Sequence, residues 1–228
     1  KINYISPNYF LVPKNIKMMG LYEELISLKE LFHLSSTGLQ TDKDDFCIQP
    51  SVEIIKQVFF DIKNIDINSL RSKYQLGNDT SSWSLINAVN DIKSNISNVN
   101  NISKVQYRPF DIRYTYYTGV SNGFMARPRA ELIKNIEGKD NLSLITIKNS
   151  RSISSWNLAL ISNLISTKPT TITSLDANYV FPLYLYPENK DQQTIGQTNK
   201  RTSNLNDKIV NKISENLDLT FTIEKTTT

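Results

Sequence analysis

The sequence predicts an α+β protein. A mainly helical N-terminal half, residues 1–100, precedes a β-rich half, residues 101–228, built as a mixed sheet with flanking helices. Three observations predict this. Apolar residues recur at spacings of three and four as far as residue 97, which is the helical period. After residue 101 they gather instead in short β-branched and aromatic runs. The Ser97-Asn98-Val99-Asn100-Asn101 stretch separates the two regimes. An apolar content of 39% in 228 residues suffices for a core, in one large domain or two small ones.

Residues 2–12, INYISPNYFLV, read as an extended entry. Leu21, Leu25, Leu28 and Leu31 mark an amphipathic helix to Phe32, with the lone His33 at its C-terminal end, where the helix dipole favours positive charge. Residues 35–45 are polar and read as a loop. Ser51 is placed to cap a helix from Val52 to about Ile62, with Ile54, Ile55, Val58 and Phe59 on its face. Asn68 caps a short helix through Tyr74, and Gly77-Asn78-Asp79 breaks the chain. Ser82 opens a further helix that turns Trp83, Ile86, Val89 and Ile92 inward.

In the second half, residues 104–107 and 112–118 read as strands turned at Pro109. Gly119–Gly123 is a turn, 124–127 a short strand, and Pro128 starts a helix over 129–136. Residues 142–148, 156–165 and 178–185 are further strands, so that residues 101–186 would form one sheet. Residues 187–204 have almost no apolar members and read as a loop. A helix over 205–217 and a strand over 219–223 close the chain.

Cys47 is the one cysteine, so the chain can form no internal disulfide and no multi-cysteine zinc site. That usage suits a reducing cytoplasm. No run of eighteen apolar residues offers a membrane span, and no signal-peptide pattern opens the chain. The first residue is Lys, and the sequence is read as a piece of a longer polypeptide.

Charge is unevenly spread. Residues 1–100 carry ten basic and eleven acidic side chains, and residues 152–228 carry seven of each. Residues 101–151 carry nine against four, so the whole excess of +4 traces to this segment. Five arginines, Arg108, Arg113, Arg127, Arg129 and Arg151, are interleaved there with aromatics. Guanidinium forks suit phosphate oxygens and guanine edges. Planar rings can stack on sugars or bases. The competing reading packs Arg and Tyr at the edge of a β-rich core with aspartates as partners. Arg108 and Arg113 flank a Pro-Phe-Asp turn, where Asp111 is placed to neutralise one of them, because buried charges must be paired. Tyr107 and Phe110 read as core. Arg127, Arg129, Lys148 and Arg151 read as the more exposed cations. With Tyr116 and Asn122 on the hairpin, and with Arg108 and Arg113 themselves, they are the candidate DNA contacts, phosphate contacts outnumbering base contacts.

Four ordered motifs carry a resemblance. They are Gly38-Leu39-Gln40-Thr41-Asp42-Lys43-Asp44-Asp45-Phe46, Tyr107-Arg108-Pro109-Phe110-Asp111-Ile112-Arg113, Asn141-Leu142-Ser143-Leu144, and Phe181-Pro182-Leu183-Tyr184-Leu185-Tyr186. Over roughly residues 1–190 the chain resembles the C-terminal target recognition region of bacterial Type ISP restriction–modification enzymes and related adenine-methyltransferase fusions. The resemblance implies a domain that reads the DNA sequence to be methylated. It implies double-stranded DNA and the methyltransferase domain of the same polypeptide as partners, and it places S-adenosylmethionine in that upstream domain. It also implies that the loop with Thr41, Lys43 and Asp44 faces DNA or the methyltransferase, which adds Lys43 to the candidate DNA contacts.

Other chemistry fits poorly. Asp42, Asp44 and Glu53 match positions 1, 3 and 12 of a calcium loop, but Phe46 and Cys47 stand where a ligand and a glycine belong. Glu53-Ile54-Ile55-Lys56 is one residue too long for a nuclease Glu-x-Lys pattern. His33 is the only base available to a nucleophilic device, and no glycine-rich phosphate loop or Asn-Pro-Pro-Tyr motif occurs. The expectation is therefore a non-catalytic target-recognition domain with no cofactor or metal of its own. The alternatives are a coupling module that positions methyltransferase and motor domains, or a nuclease domain.

Overall fold

The computed structural model describes residues 24–95, 101–148, 158–168, 172, 176–187 and 201–222. The expected entry over 2–12 lies outside them, as does most of the polar 187–204 loop. The chain divides into two compact units, residues 1–33 with 205–228 and residues 34–204.

In the first unit, helix α1 (Leu28–Leu31) is a single turn closed by a capping box between Ser27 and Glu30. Phe32 bridges Leu205, and the Asn206 N–H donates to the Leu31 carbonyl at 2.8 Å. Asn206 also caps helix α7 (Asp207–Leu217), its side chain accepting from the Lys208 N–H. Residues 219–222 form no strand, contrary to the sequence reading.

The second unit holds two four-stranded sheets where one was expected. The first runs β2 (Ile48–Gln49), β4 (Asp111–Tyr116), β3 (Ile102–Arg108), β7 (Ile165–Ser166). It is mixed, because β3 pairs antiparallel with β4 and parallel with β7. The second is antiparallel throughout: β1 (Ser36–Thr37), β8 (Asn178–Pro182), β5 (Ser143–Ile147), β6 (Ala159–Ser162). The expected 156–165 strand is broken at Asn163-Leu164, which lets β6 and β7 serve different sheets. Two-residue strands from the mainly helical N-terminal half complete one edge of each sheet. A further pair joins β9 (Tyr184–Leu185) to β10 (Thr202–Ser203).

Helix α2 (Asp44–Cys47) leads into β2, and helix α3 (Val52–Asn64) follows a Ser51 cap. The α3 core stripe is Ile55, Val58, Phe59 and Ile62, an i, i+3, i+4, i+7 face, while Ile54 lies outside it. Helix α4 (Ile67–Lys73) is capped by Asp66, whose carboxylate accepts from the Asn68 and Ser69 N–H groups. Helix α5 (Leu85–Asn95) starts three residues later than Ser82. That shift buries Leu85 and leaves Ile86 exposed, whereas Trp83 is buried in the preceding turn. These helices pack against the mixed sheet around Phe46, whose ring meets Tyr74 at 4.9 Å and Phe124 at 5.5 Å. Helix α6 (Ala130–Ile133) contributes Leu132 to a smaller cluster with Ile136, Ile145 and Val180.

Candidate nucleic-acid interface

The residues of the first motif turn inward. A Cβ on Gly38 would stand 2.6 Å from the Ser166 carbonyl oxygen and 2.8 Å from that of Thr167, so only glycine lets these backbones meet. The approach is fixed by the Leu39 N–H donating to Ser166 and the Lys168 N–H to Leu39. Gln40 then exchanges both backbone hydrogen bonds with Arg127. Asp42 adopts a left-handed conformation and accepts from the side chains of Gln40, Thr80 and Ser82. Burial pushes its carboxyl pKa up, but those hydrogen bonds and the charge of Arg127 outweigh it and the net shift is downward. Lys43 donates to the carbonyls of Leu76 and Asn78 and lies 5.5 Å from the Trp83 ring centroid. Its ammonium ties a loop together instead of reaching outward, which weighs against the expected DNA contact.

The second motif forms the β3–β4 hairpin. Arg113 stacks on Tyr107 with its guanidinium carbon 4.1 Å from the ring centroid, and Asp111 grips it at 2.8 and 2.9 Å. The structural ion pair weighed from sequence is therefore present, and it engages Arg113. Arg108 is exposed, 5.4 Å from the same ring. Tyr107 is buried as expected, but Phe110 is wholly exposed. Arg108 pairs with Asp111, so Pro109 and Phe110 are a two-residue hairpin loop with no interior for either side chain to enter. Tyr116 is core: it is 1% exposed, packs edge-on against Phe59 at 4.8 Å, and donates its hydroxyl to the Asn95 carbonyl. Its burial weighs against the expected DNA contact.

The segment after β4 carries the remaining cations. Its anchor is Asp91 on α5, buried, accepting from the Thr118 hydroxyl and the Phe124 N–H, both at 2.8 Å. A Cβ on Gly123 would fall 2.3 Å from the Asp91 carboxylate. The Phe124 carbonyl accepts from the Trp83 indole at 3.2 Å and the Cys47 thiol at 3.0 Å. Burial pushes the Cys47 thiol pKa well up, so it serves as a small buried donor. Asn122 is exposed in a left-handed turn, its N–H bound to the Ala126 carbonyl.

Beyond this anchor Arg127 is exposed and Arg129 half-buried, and both border an open cleft of about 580 Å³ with Ser35, Ser36 and Ser121. Neither guanidinium has an ion-pair partner among the described residues. Arg129 is left-handed at φ 57°, and its Nε is buried without an acceptor. Burial, then the neighbouring Arg127 charge, pushes its pKa down. Lys148 is exposed after β5 and does not border the cleft. Arg151 lies outside the described residues. The sequence reading passed over Lys168, which does not border the cleft and whose Nζ lies 3.4 Å from the Gln40 side-chain oxygen. It also missed Ser35 and Ser36. Their closeness to Arg127 comes from a bridge spanning 87 positions, Gln40 to Arg127, which no local pattern announces.

The arrangement offers an anionic partner several hydroxyls and two guanidinium groups that have no ion-pair partner among the described residues. Among the described residues no group of histidine, cysteine and carboxylate side chains could hold a metal ion, and no helix is long and apolar enough to cross a membrane. The sequence profile of the Type ISP C-terminal specificity domain matches residues 30–227. No curated protein matches the sequence. Among solved structures, the chain is similar to the ATP-dependent Type ISP restriction-modification enzyme LlaBIII bound to DNA, with 20% identity and a TM-score of 0.54. That similarity covers 84% of this chain and 13% of LlaBIII. It is also similar to DrdV in a DrdV–DNA complex, with 17% identity and a TM-score of 0.51, over 85% of this chain and 18% of the other. At these identities the likeness is one of fold, and this chain spans less than a fifth of either neighbour.

Proposed function

The chain belongs to the Type ISP C-terminal specificity domain family, and on that premise we propose that it recognises the DNA target of a restriction–modification enzyme without a catalytic step of its own. The observation that carries the reading beyond the family is the Arg127–Arg129 cleft. There part of the basic excess of residues 101–151 stands at the surface without an ion-pair partner among the described residues. Arginine without an ion-pair partner, beside hydroxyls, is the chemistry that neutralises phosphate and fixes a protein's register on a duplex. Exposed Arg108, Asn122 and Lys148 remain candidate contacts, and Arg151 is proposed with them. Arg113 is committed to Asp111 and Tyr107.

The DNA would be shared with a methyltransferase domain of the same polypeptide. The residues present do not fit S-adenosylmethionine, since the seven glycines are scattered and the Asn-Pro-Pro-Tyr motif is absent. The cofactor is therefore assigned to that other domain. Fluorescence anisotropy of the chain with duplex DNA at low and moderate salt tests the reading. Salt-sensitive binding is expected, and incubation with magnesium and S-adenosylmethionine should give neither nicking nor methyl incorporation. Absence of binding, alone and in the full polypeptide, would overturn it.

One observation favours a second reading. Phe110 is a bare aromatic at a hairpin tip, and aromatic side chains are enriched where protein surfaces dock. A coupling module would associate with the methyltransferase portion yet leave duplex DNA unbound, whereas a recognition domain binds DNA in the same assay.

A further inference from the structure

We propose that the cleft bordered by Arg127, Arg129, Ser35, Ser36 and Ser121 is a phosphate site, and that Arg129 is its fixed floor, taking one backbone phosphodiester irrespective of the base attached. The inference rests on the DNA-recognition reading for the source of the phosphate, and on the cleft itself for the chemistry.

Four features point there. First, the Arg129 Nε is out of solvent with no acceptor. Buried donors are almost always hydrogen-bonded, and charged ones are the most costly to leave unmade. An incoming oxyanion supplies the missing acceptor. Second, Arg127 and Arg129 repel each other, and among the described residues no ion pair relieves them. Among the described residues the one carboxylate bordering the cleft, Glu131, pairs with Lys134, and Asp42, whose carboxyl pKa the Arg127 charge lowers, already accepts three side-chain hydrogen bonds. Third, Arg129 holds a left-handed backbone conformation, and a non-glycine residue kept there marks a site whose surroundings impose it. Fourth, hydroxyls from two distant segments, residues 35–36 and 121, border the same space and supply neutral donors.

The half-buried position of Arg129 decides between phosphate and base. A side chain that reads a base must project into a groove to meet an edge at its floor. A recessed guanidinium cannot do that, but phosphate oxygens protrude from the duplex and can enter a cleft. Its planar fork suits two such oxygens at once. Arg127, exposed at the rim, then adds longer-range attraction.

The test uses the whole chain with duplexes of several unrelated sequences across a salt series, and inorganic phosphate followed at the arginine Nε–H resonances. Arg129→Ala should flatten the plot of log affinity against log salt by about 0.9 on every duplex, the release of one counterion. Arg127→Ala, an exposed site that folding tolerates, should flatten it similarly. Inorganic phosphate should shift the Arg129 Nε–H signal of the parent chain. If the parent binds duplexes and both variants keep its slope, the cleft assignment is overturned while DNA recognition stands. If Arg129→Ala weakens one sequence alone, the residue reads a base and the proposal fails. If the parent binds no duplex yet phosphate shifts Arg129, the site stands for free phosphate and the DNA reading falls. If neither duplex nor phosphate acts, both fall.

Discussion

Gln40 and Arg127 face each other across an antiparallel bridge, each backbone N–H donating to the other's carbonyl at 3.0 and 2.9 Å. The first motif thus works as a scaffold for the basic segment. Its side chains fill the core, as Leu39 and Phe46 do, or close local hydrogen bonds, as Asp42 and Lys43 do. Its backbone meanwhile fixes where Arg127 leaves the fold. Two pairs of hydrogen bonds, one to residues 166–168 and one to Arg127, make residues 38–40 a strap between the mixed sheet and the cleft.

That strap depends on Gly38. Adding a Cβ forces it against two carbonyl groups of the backbone, which cannot rotate away as a side chain would. Gly38→Ala should destabilise the chain by roughly 1–3 kcal/mol, the usual range for an overpacked interior. A lower denaturant midpoint at unchanged slope would show it. DNA affinity should fall with stability, because Arg127 shifts with the strap. An unchanged midpoint would mean the contact yields easily and the strap is loose.

Asp91 is the second support. It receives the Phe124 N–H in the buried turn that precedes Arg127. Asp91→Ala leaves that donor unmet, at about 1–3 kcal/mol for a buried group. Asp91→Asn keeps an acceptor oxygen and should cost less. Gly123→Ala should imitate Asp91→Ala, since its Cβ would strike the same carboxylate. Hydrogen exchange at Phe124 reads the effect directly: faster exchange is expected in Asp91→Ala, and parent-like protection would refute the assignment.

The local parts of this architecture were legible in sequence. The Ser51 cap, the strands either side of Pro109 and the strand near Leu142 all follow from neighbouring residues. The long-range parts were not. Strands of two residues such as Ser36–Thr37 and Ile48–Gln49 have no period to detect, and they exist because a partner strand offers free hydrogen bonds. A difference of a few residues at the start of α5 was enough to exchange Ile86 for Leu85 in the core. Phe110 read as core by composition, but a two-residue turn decided its exposure. The excess of positive charge located the basic segment; which of its arginines are already spent required the partners Asp111 and Tyr107 to be seen.

Acid and alkali should act through one cluster. Asp61 accepts from the Tyr74 hydroxyl at 2.6 Å and pairs with Lys73 at 2.6 Å. Burial raises the Asp61 pKa, but the hydrogen bonds from Lys73, Tyr74 and Gln57 outweigh it and hold it below the ordinary carboxylate value. A carboxyl lowered on folding stabilises fully above its unfolded pKa, about 4, and loses that contribution as pH falls through the folded value. Burial, then the hydrogen bond to Asp61, pushes the Tyr74 pKa up. Its contribution is full below the unfolded value of about 10 and is lost as pH rises through the folded one. Asp61→Asn should therefore flatten the acid limb of a stability–pH curve, and Tyr74→Phe the alkaline limb. Denaturation midpoints across pH check this, and limbs that coincide with those of the parent chain would count against it.

Lys43 and Tyr116 separate a structural role from contact with DNA. Lys43 spends its ammonium on the Leu76 and Asn78 carbonyls, and Tyr116 spends its hydroxyl on Asn95. Replacing either should therefore register in stability. Tyr116→Phe should cost about 0.5–1.5 kcal/mol, the net worth of a neutral hydrogen bond, and Lys43→Ala about 1.5–3 kcal/mol, the range for bonds made by a charged donor. At a temperature where both variants stay folded, neither should alter the salt slope of DNA binding, because no phosphate contact has been lost. Arg129→Ala should behave oppositely, with a flatter slope. Measuring unfolding and salt-dependent binding on the same preparations places each residue in one class or the other. A Lys43→Ala variant of unchanged stability and a slope flatter by about 0.9 would show that its ammonium leaves Leu76 for a phosphate when DNA binds. The loop of residues 41–45 would then belong to the interface after all.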